Sequence, residues 1–291
     1  MQLLEEVKIT PKIVKKLLVP RLESSKKGDN GIVLVVGGNK TYHGAPILTS
    51  MAALRSGTDL VYTAVPRSNI IPTRCFSPNI IALPLPDDKL TVGSANRLVA
   101  MIPKKADSAA VGMGMSIARP EALLTLIKHL KSNSTKLLLD ASSLIPEVLR
   151  EISGTNTIIT PHAGEYKRIF PGEELGVTEK QRISNVQRLA KQYGITVILK
   201  GSIDIICDGE QVAINKIHNP GMTVGGTGDV LSGLTAGLLS KMNPFDASIL
   251  GVYFNGVAGN LVYDQRGLHM VATDLLEALP DALKPFDVVK E

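Results

Sequence analysis

The sequence has no tryptophan, and aromatic residues make up only 4% of its 291 positions. A surface that binds nucleic acid by stacking bases needs aromatics among its basic residues. The basic residues near the start, Lys8, Lys12, Lys15, Lys16, Arg21, Lys26 and Lys27, therefore read as the solvated face of a terminal helix, and no nucleic-acid partner is expected. Cysteine is scarce as well. Cys75 and Cys207 stand far apart without metal-type spacing and read as reduced thiols inside a cell. No uncharged apolar run approaches the length needed to span a bilayer, and MQLLEEVKITPK lacks both the apolar core and the cleavage site of a signal peptide. A cytoplasmic protein with no membrane partner is the expectation. The chain also lacks GxxxxGK[ST], so it has no P-loop. Its net charge of +5 suits an anionic small molecule but selects no class of partner.

What is present alternates. Short apolar runs rich in β-branched residues recur as IVLVVGG (32–38), LVYTAVP (60–66), IIALPLP (80–86), AAVGMG (109–114), KLLLDAS (136–142), TIITPH (157–162) and TVILKG (196–201). Helical patterns lie between many of them. PEALLTLIKHLKSN repeats apolar positions at three and four residues behind Pro120, which suits a first helical turn. EKQRISNVQRLAKQYG does the same and stops at Gly194, a C-terminal helix glycine. Strand–helix alternation with nearly continuous apolar strands predicts an α/β fold, its mainly parallel sheet buried between helices. IDIICDGEQVAINKI (203–217) holds a DG turn and reads as a hairpin at one side of that sheet. TPKIVKKLL reads as a helix capped by Thr10 with Pro11 in its first position. No linker or repeat divides the chain.

In open α/β sheets, ligands bind beyond the carboxyl ends of the strands. Gly37-Gly38-Asn39-Lys40, Gly112, Gly114, Asp140, Thr160-Pro161-His162 and Lys200-Gly201 all fall at such ends. The densest cluster is GMTVGGTGDVLSG, residues 221–233, with five glycines and one aspartate, Asp229. Glycines at a helix start let a phosphate approach free N–H groups at the positive end of the helix dipole. Asp229 then falls in the first turn, either as a general base beside that phosphate or as a helix cap. Other residues carry paired readings too. His162 and Glu165 are a core histidine and a helix-capping glutamate, or a site in which Glu165 faces hydrated Mg2+. Lys200 either snorkels to solvent or meets a nucleotide phosphate. Asp140 binds metal or substrate, or caps the next helix.

The ordered set KGDNGIVLVVGGNKTYHGAPILTSMAALRSG, AVGMGMS, LLLDASS, TPHAGEYKRI, VILKG and NPGMTVGGTGDVLSG resembles the ADP/ATP-dependent NAD(P)H-hydrate dehydratases of the ribokinase-like superfamily. The likeness runs over residues 27–281. It implies a ribokinase-like three-layer sandwich, a central and mostly parallel sheet flanked by helices, as one domain over residues 27–291 behind an N-terminal helical extension, residues 1–26. It implies a reaction in which NADH or NADPH hydrated at C6 of the nicotinamide ring is returned to the working cofactor with ADP or ATP as phosphoryl donor and Mg2+ as metal. Asp229 would take the hydroxyl proton, while Gly226, Thr227 and Gly228 offer N–H groups to the transferred phosphoryl. The hydrate would lie near Ala45, Gly114, His162 and Asp229. The nucleotide would lie along Lys200, Gly201, Ser202, Ile203 and Asp204 and at Gly228. Glu165 matches the acidic position associated with Mg2+, through water. The resemblance also implies a homo-tetramer and a separate epimerase, since this chain is too short to hold both activities. One departure is Ala163, where the family usually has proline, and a looser turn is expected there.

Three other readings share parts of the pattern. A kinase for a vitamin-type alcohol would keep GTGD and Lys200 but generally not KGDNGIVLVVGG and YHGAP. A nucleotide-binding sensor without turnover would keep the glycines and have no need of Asp229. A dehydrogenase using NAD is disfavoured, because VVGGNKTYHG does not fit GxGxxG.

Overall fold

The computed structural model describes residues 5–102 and 105–291. The first four residues of the expected N-terminal extension lie outside the described residues. In chain order the elements are β1 (Glu5–Lys8), α1 (Pro11–Leu17), β2 (Arg21–Leu22), β3 (Ile32–Val36), α2 (Gly44–Arg55), β4 (Leu60–Pro66), α3 (Ile70–Phe76), β5 (Ile81–Leu85), α4 (Val92–Met101), β6 (Ser108–Val111), α5 (Pro120–Ser132) and β7 (Lys136–Leu139). They continue with α6 (Val148–Ile152), β8 (Thr157–Ile159), α7 (Ala163–Ile169), α8 (Glu179–Tyr193), β9 (Thr196–Leu199), β10 (Asp204–Cys207), β11 (Gln211–Asn215), α9 (Thr227–Leu239), α10 (Pro244–Arg266), α11 (Ala272–Leu283) and β12 (Val289–Lys290).

Ten strands form one sheet in the order β1-β11-β10-β9-β8-β7-β6-β3-β4-β5. All neighbours pair in parallel except β10, which runs against both β9 and β11. Each strand face buries its own helical layer, as the continuous apolar runs require. Along β3, Ile32, Leu34 and Val36 join the core under α4, α5 and α8, while Val33 and Val35 join the core under α2, α9 and α10. In α5, Leu123, Leu126, Ile127 and Leu130 form the buried stripe expected from the spacing. Each such side chain contributes roughly 1.5–3 kcal/mol by leaving water.

The opposite layer is built on close backbone approach. A Cβ on Gly233 would sit 2.0 Å from the Thr49 carbonyl oxygen, so α2 and α9 can meet only because that residue is glycine. The helix ends match their chemistry. Thr10 caps α1 with Pro11 in its first turn, and Gly194 closes α8 in the left-handed region at φ 59°.

One expectation needs correction. The segment before residue 27 is not only helical, because Glu5–Lys8 pairs in parallel with β11 as an outer strand of the main sheet, and Val14 of α1 is fully buried. The DG turn joins a hairpin, β10–β11, at one side of the sheet as expected, and β1 covers its outer side.

The connections fix where a ligand can go. The chain leaves β3 towards β4 and β5, then returns to the other side of β3 for β6 to β9. The order therefore reverses between β3 and β6, and a crevice opens there beyond the carboxyl ends.

Candidate active site

The loops after β3 and β6 are tied together first. The Gly38 N–H donates to the Met113 carbonyl at 2.8 Å, and the Gly112 N–H donates to the Val36 carbonyl at 3.0 Å. Gly112, at φ 121°, is needed there, because its Cβ would lie 2.0 Å from the Asp140 carbonyl oxygen. A Cβ on Gly114 would lie 3.0 Å from the Ala45 Cβ, so these two half-buried residues line one wall. Thr49 links that wall to α9. Its hydroxyl bonds the Ala45 carbonyl at 3.0 Å and the Asp229 carbonyl at 3.1 Å.

The α9 N-terminus faces the crevice. Gly226 precedes it at φ 100°, and the first intrahelical bond is from the Val230 N–H to the Gly226 carbonyl. The N–H groups of Thr227, Gly228 and Asp229 are thus left without an intrahelical partner. The Thr227 hydroxyl bonds the Met222 and Val224 carbonyls, so only its backbone faces a ligand. Gly225 opens onto free space. Asp229 is half-buried, and its carboxylate makes no cap and has no hydrogen-bond partner among the described residues. Burial pushes the carboxyl up to about 7; Asp140 and Glu165 add to this, and Lys200 opposes it. An unpaired carboxylate titrating near neutrality is suited to accept a proton.

A second group gathers at the ends of β7, β8 and β9. The Lys200 ammonium lies 2.8 Å from Asp140 Oδ1 and 3.7 Å from Glu165 Oε2. Burial by itself would lower its proton affinity, but the charges of Asp140 and Glu165 outweigh burial and hold it above the usual lysine range. Asp140 is 2% exposed, and burial alone would raise its carboxyl. Lys200 and the Ser232 hydroxyl, 2.8 Å away, hold it below the usual carboxylate range. Lys200 therefore does not snorkel, and Asp140 does not cap the next helix. The two groups meet at Gly228, where a Cβ would be 3.7 Å from Lys200 Nζ.

His162 and Glu165 start α7. His162 Nδ1 accepts from the N–H groups of Gly164 and Glu165, and Glu165 Oε2 accepts from the His162 N–H at 2.9 Å. This capping box closes the turn expected to loosen at Ala163. The His162 side chain, 58% exposed, still faces outward for contact. After β9, Gly201 and Ser202 are exposed and Ile203 is half-buried. Asp204 is engaged internally by the Gly201 N–H and the Asn215 amide, and burial raises its carboxyl. A cavity of about 980 Å³ lies at the other end of the sheet, around Asp107 and Lys241, and includes none of these residues. Thr49 and Ser232 stand inside the quoted motifs, but the sequence assigned them no role. They act through contacts across the α2–α9 and β7–α9 packing that spacing does not reveal.

A family model described as NAD(P)H-hydrate dehydratase matches residues 33–281. The chain belongs to this family. It is 52% identical to an ADP-dependent (S)-NAD(P)H-hydrate dehydratase of Nitrosopumilus maritimus, over 97% of this chain and 98% of that one. It is 37% identical to a bifunctional NAD(P)H-hydrate repair enzyme of Pyrobaculum aerophilum over 91% of its length, but spans only 53% of that relative. A crystal structure of the ADP/ATP-dependent NAD(P)H-hydrate dehydratase from Bacillus subtilis, co-crystallised with ATP/Mg2+, superposes with a TM-score of 0.81. It shares 24% identity over 96% of this chain and 98% of that one. This likeness establishes the ribokinase-like α/β fold.

Proposed function

We propose that the protein dehydrates C6-hydrated NADH and NADPH at the expense of ADP, releasing AMP and phosphate. The observation that carries this is Asp229, an unpaired carboxylate with its proton affinity near neutral, set among free N–H groups at the α9 N-terminus. Hydroxide is a poor leaving group, so the hydrate is stable until its hydroxyl is esterified. Asp229 accepts the proton of the C6 hydroxyl as that oxygen attacks the β-phosphorus of ADP. The P–O bond to AMP breaks, and the N–H groups of Thr227 and Gly228, beyond Gly226, hold the charge on the phosphoryl oxygens. The ring-nitrogen lone pair then expels phosphate from C6, and loss of a C5 proton restores the dihydropyridine.

Lys200 meets the phosphates of the nucleotide, which lies along Gly201, Ser202, Ile203 and Asp204. Ala45, Gly114 and His162 border the hydrate. ADP is favoured over ATP because the relative at 52% identity is named ADP-dependent. Three carboxylates, Asp140, Glu165 and Asp229, surround a single ammonium, and this excess of negative charge suits a phosphate chain that arrives with a divalent cation. Among the described residues no cluster of three or more ligating side chains could hold a metal alone. Glu165 would therefore meet Mg2+ through water, and bound Mg2+ would neutralise phosphate charge. A homo-tetramer and a separate epimerase for the other hydrate epimer complete the reading.

The test is to supply NADH hydrate, Mg2+ and either ADP or ATP, and follow the return of NADH absorbance. Recovery with ADP supports the proposal. A stable phosphorylated product would instead mark a small-alcohol kinase, and nucleotide binding without turnover would mark a sensor.

A further inference from the structure

Asp140 is almost fully buried, yet it is tied to both halves of the site. One carboxylate oxygen accepts from Lys200 Nζ at 2.8 Å and the other from Ser232 Oγ at 2.8 Å. Ser232 lies on α9 three residues after Asp229, so one carboxylate fixes the ammonium and the helix that carries the base. The backbone around Asp140 is held in an unusual form. Ala141 adopts φ 50°, a region that disfavours any residue with a Cβ, and its carbonyl accepts from the Arg168 guanidinium. Gly112 makes room for the Asp140 carbonyl. Such a conformation persists only where its surroundings over-determine it.

Lys200 has a choice of carboxylates. It sits 2.8 Å from Asp140 and 3.7 Å from Glu165, and it reaches Asp229 only at longer range. An ammonium that settled on Asp229 would pair with the base and weaken it. We propose that Asp140 is a positioning residue: with Ser232 holding its second oxygen, it captures the Lys200 ammonium and so leaves Asp229 unpaired at the α9 N-terminus. The inference rests on the reading of Asp229 as the base, but its test needs no turnover.

The experiment is a carboxyl-carbon NMR titration of Asp229 in metal-free, nucleotide-free protein, with Asp229→Asn assigning the resonance. Besides Asp140 and Lys200, the charged group that acts on it is Glu165, which is kept in every variant. Asp140→Asn removes a like charge and releases Lys200 towards Asp229, so the midpoint falls by about one pH unit or more. In a Lys200→Met background the same substitution removes only the like charge, and the fall is smaller. A midpoint unmoved by Asp140→Asn, or a shift of equal size with and without Lys200, would overturn the proposal. Melting temperatures add a second reading. Each single variant strands a buried charge and melts lower, while Asp140→Asn/Lys200→Met recovers part of the loss. Additive losses would count against the capture. Should Asp140→Asn not fold, Ser232→Ala loosens the same carboxylate and lowers the midpoint in the same direction by less. An unchanged midpoint in that variant would then refute the idea. A shifted midpoint in protein that fails to restore NADH keeps this inference and removes the proposed reaction.

Discussion

Asp229 should make the protein less stable where it is most active. Its carboxyl titrates at about 7 in the folded chain against an ordinary 3.8, with burial the main cause. A raised folded value means that the native state holds the proton more tightly than the unfolded chain. The stabilisation from that proton is complete below about pH 4 and is lost as the pH rises to about 7. The gap of about three pH units corresponds to at most ~4 kcal/mol. Asp229 is only half-buried, so water screens part of this, and about 2 kcal/mol is a fairer expectation. Asparagine copies the protonated carboxyl in shape and cannot ionise. Asp229→Asn should therefore match the parent at pH 4 and exceed it by about 2 kcal/mol at pH 8. Urea unfolding of both proteins at the two pH values measures the difference, and groups remote from Asp229 cancel between them, while Asp140, Glu165 and Lys200 enter only through their coupling to it. An Asn variant that is equally stable, or less stable, at pH 8 would refute the reasoning that Asp229 is held unpaired and desolvated.

The same group predicts a rate profile, with kcat/KM rising as Asp229 loses its proton and levelling off above about pH 7; a flat profile from pH 5 to 8 would remove it as the base. Gly233→Ala places a methyl 2.0 Å from the Thr49 carbonyl, so thermal melts should show a loss of roughly 1–3 kcal/mol or more as α2 and α9 separate. On the proposed reading, His162→Ala should weaken hydrate binding with little effect on ADP, because the imidazole is exposed for contact while Lys200 stays in its ion pair with Asp140. An unchanged KM for hydrate would count against that contact.

Much of the sheet was legible because strands such as β3 and β4 are buried on both faces and write the continuous runs IVLVV and LVYTAVP, bounded by glycine or proline. Thr10 with Pro11, and Gly194, marked helix ends by local chemistry alone. The Glu5–Lys8 strand was not legible. EEVK is short and charged, and its partner β11 lies some two hundred residues away, so only tertiary pairing makes it a strand. The run AAVGMG ends as its glycines suggest, because the strand closes at Val111 and Gly112 turns the chain beyond its carboxyl end. The glycine cluster showed where an anion could approach. It did not show that Gly233 serves helix packing rather than the ligand, because a sequence cannot tell which glycines face a neighbouring helix. Asp140 and Lys200 each kept two readings for a similar reason. They are sixty residues apart, and only the order of β7, β8 and β9 in the sheet brings them into contact.

The central claim is that Asp229 takes a proton from the hydrate during phosphoryl transfer from ADP. The most direct measurement compares the parent with Asp229→Asn, recording NADH recovery from its hydrate with ADP and Mg2+ and, separately, the dissociation constant for ADP. The account predicts that the variant loses about 10²–10⁴-fold in rate while ADP binding changes little. Undiminished recovery by the Asn variant would contradict it.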